Sequence, residues 1–184
     1  MSHRASPGML RRDLAAAGPA SSPPRRIVCR CSYSGGVARV LVTGMSGVGK
    51  STLLAELSRR GHPVVDTDYD GWTLPDGRWD EPRMTALLAE RAEVVVSGTV
   101  DNQGRFYHRF DQVVLLSAPL GVLLARVAAR VDNPYGRTPE QQAEIERNLT
   151  EVEPLLRRGA TLELDGRRPT EELADTVERL LTAV

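Results

Sequence analysis

The sequence predicts an α/β fold in three layers, a parallel five-stranded sheet flanked by helices. Two observations carry that expectation. From residue 37 onward, short runs rich in Val and Leu alternate with stretches whose apolar residues recur at three- and four-residue spacing. The short runs are apolar at consecutive positions, the pattern of strands covered on both faces. Strands separated by helices pair in parallel through right-handed crossovers.

The first strand is read at residues 37–43. The helix after it carries Leu53, Leu54 and Leu57 on one face. It stops at Arg59, Arg60 and Gly61, with cations near its negative end and glycine past the stop. The second strand, 63–66, ends in Asp66, and a polar loop from Tyr69 to Asp80 follows. Met84, Leu87 and Leu88 mark a helix over 82–91, and residues 93–97 a third strand. The fourth strand is 112–117, after which Pro119 opens a helix, as proline does at a first helical position. Beyond a polar break at 132–137, Thr138 is expected to cap a helix beginning at Pro139. The fifth strand is 161–164. Thr170 is expected to cap the last helix, with Leu173, Val177, Leu180 and Leu181 facing inward.

Between the first strand and its helix stand Gly44, Met45, Ser46, Gly47, Val48, Gly49, Lys50 and Ser51, followed by Thr52. They fit G-x-x-x-x-G-K-[ST], a loop that binds phosphate. Glycines let successive backbone N–H groups turn inward toward phosphate oxygens. Lys50 can reach the β- and γ-phosphates, the Ser51 hydroxyl can ligate Mg²⁺, and the helix offers its positive end to the anion. Strand, loop and helix occur in the order the motif needs. Lys50 is the only lysine in the chain, so a chance Gly-Lys-Ser is improbable.

Charge and composition narrow the partners. The formal net charge of the 184 residues is zero, but residues 1–36 hold six arginines against one aspartate, and residues 37–184 hold 18 basic and 23 acidic residues. An acidic folded part argues against nucleic acid. The most apolar stretch, 113–131, is broken by Pro119, Arg126 and Arg130, so it reads as strand and helix and not as a membrane span. Residues 1–36, rich in Ser, Pro, Gly, Ala and Arg, lack material for a core and are expected to be a disordered extension of a domain over 37–184. An organelle transit peptide and a true start at Val37, from a GTG codon, both fit that segment, and the second is preferred. Cys29 and Cys31 are too few for a structural zinc site, and a cysteine-free folded part suits the cytoplasm.

The second strand delivers Asp66 and Asp68 to the carboxyl edge of the sheet, beside the phosphate loop. One carboxylate is expected to hold Mg²⁺ through water and the other to take the proton of an acceptor hydroxyl; Asp66 is preferred for the metal and Asp68 for the proton, with the base left open between them. Acceptor contacts are expected from Trp72 and from Gly98, Asp101, Asn102, Gln103 and Arg105 after the third strand. Trp79 leans toward packing.

Residues 40–54 and 61–68 resemble small phosphate-loop metabolite kinases, with shikimate kinase and dephospho-coenzyme A kinase as examples. The resemblance implies a P-loop NTPase fold of the NMP-kinase-like kind, with ATP and Mg²⁺. Through it, Arg126 and Arg130 match the R-x-x-x-R that leads into the family's lid, and Arg137 in the polar lid is a candidate phosphate contact. Arg168 and Pro169 match the adenine-binding loop. Three places depart from shikimate kinases. Their lid arginine–proline pair is replaced by Asn133, Pro134, Tyr135, Gly136 and Arg137. Their Gly-Gly-Gly run is Ser97, Gly98 and Thr99 here. Their Arg-x-Pro-Leu-Tyr element, whose arginine grips the substrate carboxylate, becomes residues 151–156, with Val152 in the arginine's place.

The expected function is therefore ATP- and Mg²⁺-dependent γ-phosphoryl transfer to a small metabolite or nucleotide, with Lys50, Asp66, Asp68, Arg126 and Arg137 acting on the reaction. A nucleoside or nucleoside-monophosphate kinase is an alternative, in which the tryptophans and Arg105 read a base and a phosphate. A second is an ATP-binding switch or accessory protein with no acceptor. Oligomeric state stays open.

Overall fold

The computed structural model describes residues 38–130 and 135–182. The expected extension over 1–36, Val37, both cysteines, and Asn133 and Pro134 of the lid lie outside them. The strands are Arg39–Thr43 (β1), Val64–Asp66 (β2), Val94–Ser97 (β3), Gln112–Ser117 (β4) and Leu162–Asp165 (β5). The helices are Lys50–Arg59 (α1), Glu81–Glu90 (α2), Leu120–Ala129 (α3), Pro139–Glu151 (α4), Glu153–Gly159 (α5) and Thr170–Thr182 (α6).

All pairings are parallel and the sheet order is β2-β3-β1-β4-β5, so the chain reverses direction across the sheet at β1. That reversal opens a crevice at the carboxyl end of β1, where the phosphate loop begins. Alternate residues serve opposite faces. Val40, Val42, Val95 and Val114 join a core with Leu53, Leu57, Val127 and Val177, while Leu41, Val94, Val96 and Val113 meet Trp79, Met84, Leu88 and Phe106 on the other side. Burial on both faces is what makes the strand runs apolar throughout.

Thr138 caps α4 as expected, in a capping box with Gln141. Asp80, not foreseen as a cap, accepts the Arg83 N–H at the start of α2. Two expectations at helix starts are corrected. Pro119 and Pro169 stand one residue before α3 and α6, and their carbonyls accept the first helical bonds from Leu123 and Leu173, so Thr170 is helical and not the cap. Two elements were not read from the sequence: a 3₁₀ helix over Gln103–Arg109, and α5, which restarts at Glu153 because Pro154 cannot donate back into α4. Among the described residues, no helix is long and apolar enough to cross a membrane.

At the amino edge of the sheet, His62 bridges two carboxylates, Glu93 on Nδ1 at 3.0 Å and Glu178 on Nε2 at 2.9 Å. Burial opposes the charged ring, but the two carboxylates outweigh it and raise the pKa above the ordinary 6.5. A raised pKa in the folded state gives stability that is complete below the unfolded value and lost as pH rises through the folded one. The melting temperature should therefore fall as pH rises above about 6.5 and through the raised pKa of the folded ring. His62→Gln should flatten that slope, and an unchanged slope in this variant would show that His62 is not its source.

Candidate active site

The phosphate loop is shaped by contacts that only glycine allows. Gly44, Gly47 and Gly49 have φ of 144°, 91° and 108°, which L side chains rarely adopt. A Cβ on Gly44 would also lie 2.3 Å from the Leu116 carbonyl oxygen. The loop thus rests directly on the end of β4. Lys50 folds over it and donates to the Gly44 carbonyl at 2.7 Å. Ser51 and Thr52, in the first turn of α1, are exposed on the same side.

A cavity of about 850 Å³ opens over this loop. Gly44, Met45, Ser46, Gly47, Gly49, Lys50, Ser51 and Thr52 form one end of its wall. Val48 does not join them, because its side chain is buried in the core. Asp68 and Asp101 line the cavity as well. Asp66 does not; its Oδ1 accepts the Asp68 N–H at 3.2 Å and shapes the turn that presents Asp68. Among the described residues no cluster of three or more His, Cys, Asp or Glu could hold a metal by itself, so Ser51 is the metal candidate that the wall retains.

Three expected acceptor residues stand away from the wall. Trp72 carries the Arg83 guanidinium 3.9 Å over its ring, so that face is taken. Gly98 packs: a Cβ there would lie 2.1 Å from Thr67 Oγ1 and press on Trp79. Arg105 is held by Glu81 at 3.1 Å. Asn102 and Gln103 are fully buried and serve the scaffold. Asn102 brackets the Trp79 backbone, and Gln103 joins Thr43 to the Tyr107 hydroxyl. Burial raises the Tyr107 pKa, only partly opposed by that bond, so the phenol stays neutral. Trp79 is buried as anticipated, its indole N–H donating to Thr67 Oγ1 at 2.9 Å.

The arginines divide differently from their sequence pattern. Arg126 donates to the Val48 carbonyl at 3.1 Å and to the Gly166 carbonyl at 2.9 Å, stapling the phosphate loop to the β5–α6 loop. Arg130 follows the end of α3 and lines the cavity. Arg137 donates to the Arg130 carbonyl and is not in the wall. Arg168 is paired with Glu172 at 2.9 Å, and with Pro169 it lies outside the wall, in the loop that Arg126 staples.

Other wall residues were missed. Thr99 Oγ1 donates to the Gly44 carbonyl at 2.8 Å and lies 3.3 Å from Thr43 Oγ1, so β3 senses the loop through a hydroxyl. From α4 and its end come Glu144, Ile145, Asn148 and Val152. Their spacing of one, four and eight residues from Glu144 places them on one helix face, a signal present in the sequence. Tyr69, Asp70, Thr73 and Leu74 also line the wall, from a loop that Arg83 pins through the Asp70 and Gly71 carbonyls.

Comparison with known proteins agrees with this geometry. Residues 40–147 match the family model described as AAA domain. A curated shikimate kinase of Bradyrhizobium diazoefficiens is 29% identical over 143 residues, covering 65% of this chain and 68% of that protein. Among solved structures, shikimate kinase from Acinetobacter baumannii in complex with shikimate superposes with a TM-score of 0.60 at 22% identity, covering 80% of this chain and 94% of the other. A gluconokinase from Sinorhizobium meliloti gives a TM-score of 0.53 at 19% identity, covering 80% and 95%. The family match spans more than half of the chain, over the loop and sheet that build the cavity, and the chain belongs to the AAA domain family, with a fold similar to that of the shikimate kinases.

Proposed function

We propose that this kinase uses ATP and Mg²⁺ to transfer the γ-phosphoryl group to a hydroxyl of a small metabolite. One observation carries the reading: a single cavity has a phosphate cradle at one end and the carboxylates Asp68 and Asp101 in the same wall. Loop N–H groups and Lys50 hold the β- and γ-phosphates, where they oppose the charge that develops during transfer. Ser51 would hold Mg²⁺, which would supply positive charge to offset that of the phosphates. Asp68 accepts the acceptor's proton as the new O–P bond forms and the bond from the γ-phosphorus to the β–γ bridging oxygen breaks, releasing ADP. The relatives named as kinases of small acids support the reaction class. The nucleotide-acceptor alternative loses its support, because Trp72 and Arg105 both lie off the wall.

The test is ATP consumption with and without a panel of small hydroxyl compounds, with the product identified by mass. A kinase should consume ATP only as fast as an acceptor is phosphorylated. Slow hydrolysis that no small acceptor stimulates, but that a protein partner does, would favour a switch instead.

A further inference from the structure

We infer that the acceptor is a polyhydroxyl compound, neutral or aminated, that carries no carboxylate or phosphate. The inference rests on the kinase reading and concerns the walls beyond the phosphate loop. Those walls bring four carboxylates to the cavity: Asp68, Asp70, Asp101 and Glu144. The cations among the described wall residues are Lys50, committed to the phosphate loop, and Arg130, at the end of α3.

Three nearby arginines are turned elsewhere. Arg83 is spent on the Asp70 and Gly71 carbonyls and the Trp72 ring, and Arg105 faces Glu81. Arg126 reaches two backbone carbonyls. Val152, which lines the wall from the end of α4, is apolar.

An anionic acceptor would enter this space against the like charges of Asp68, Asp70 and Glu144, with two cations that ATP's own phosphates also attract. Burying an unpaired carboxylate there is costly. A polyol meets the opposite situation. Its hydroxyls donate to carboxylates in charge-assisted hydrogen bonds. Asn148 adds a further acceptor, since its Oδ1 is buried without a partner. The C–H face of a sugar or cyclitol suits Tyr69 and Leu74, which are 59% and 42% exposed in the same wall. An ammonium group is a still stronger donor, so an amino sugar belongs to the accepted class.

The experiment compares matched acceptors with the full-length protein, ATP and Mg²⁺: myo-inositol, glucose and glucosamine against gluconate and shikimate. Transfer should be found among the first three, with kcat/KM at least about tenfold above either acid, the scale of one unpaired charge contact. Asp70→Asn should raise the acceptor KM about tenfold and leave the KM for ATP unchanged. Asn tolerates the left-handed backbone that Asp70 holds at φ 59°, so this variant keeps the loop. Transfer to gluconate or shikimate alone, equal use of acids and neutral compounds, or no transfer to any of the three while ATP still binds through Lys50 would each overturn the inference and leave the nucleotide site standing. Failure of Lys50-dependent ATP binding would instead remove the kinase reading beneath it.

Discussion

Lys50→Ala should reduce phosphoryl transfer by on the order of 10²–10³-fold or more and weaken ATP binding, because it removes a fixed cation from beside the β- and γ-phosphates. The structure gives reason to expect a clean effect. The Lys50 ammonium bonds the Gly44 carbonyl, on the loop it covers, and the side chain is not part of either core. The loop's shape comes from its glycines and from contact with β4, so the variant should keep its melting temperature. Lys50→Arg should rescue poorly, since a planar guanidinium does not replace a compact ammonium in a tight backbone cradle. ATP titration by calorimetry and a coupled assay for ADP provide the check. Normal affinity and rate in Lys50→Ala would remove the phosphate-loop reading.

Asp68→Asn should lower single-turnover transfer by about 10²–10⁴-fold while ATP binding stays near normal. The amide keeps the shape of the side chain and cannot take a proton. The neighbouring Asp66→Asn should behave differently. Asp66 is off the cavity wall and shapes the turn through the Asp68 N–H, so its loss should disturb the placement of Asp68 more than the demand for Mg²⁺. A wild-type rate in Asp68→Asn would pass the base to Asp101, which shares the cavity, or leave transfer to rest on positioning alone.

The strands and most helices were legible because both faces of the sheet are covered and the helices keep a 3.6-residue period, two patterns that need no tertiary information. The phosphate loop was legible because its glycines and lysine sit at fixed spacing. The acceptor side was not. Trp72 looked available in a polar loop, yet Arg83, eleven positions later, lies on its ring. Gln103 looked like a polar contact for a ligand, yet the 3₁₀ turn carries it inward to Thr43, sixty residues earlier. Such pairings depend on the crossing of distant elements, which local pattern does not encode. Arg126 and Arg130 form one R-x-x-x-R pattern, whose four-residue spacing would put both on one face of a helix. Arg130 falls just past the end of α3, where the chain turns extended, and the two part company.

Lys50 stands in the wall of the nucleotide site and is the chain's sole lysine. An amine-directed acylating reagent therefore meets one side-chain target besides the amino terminus, and that target lies where a nucleotide must sit. Adduct mass on the peptide containing Lys50 becomes a direct count of empty sites. Protection by each nucleotide in turn would rank their occupancy without any assay of turnover, and so before the true acceptor is in hand.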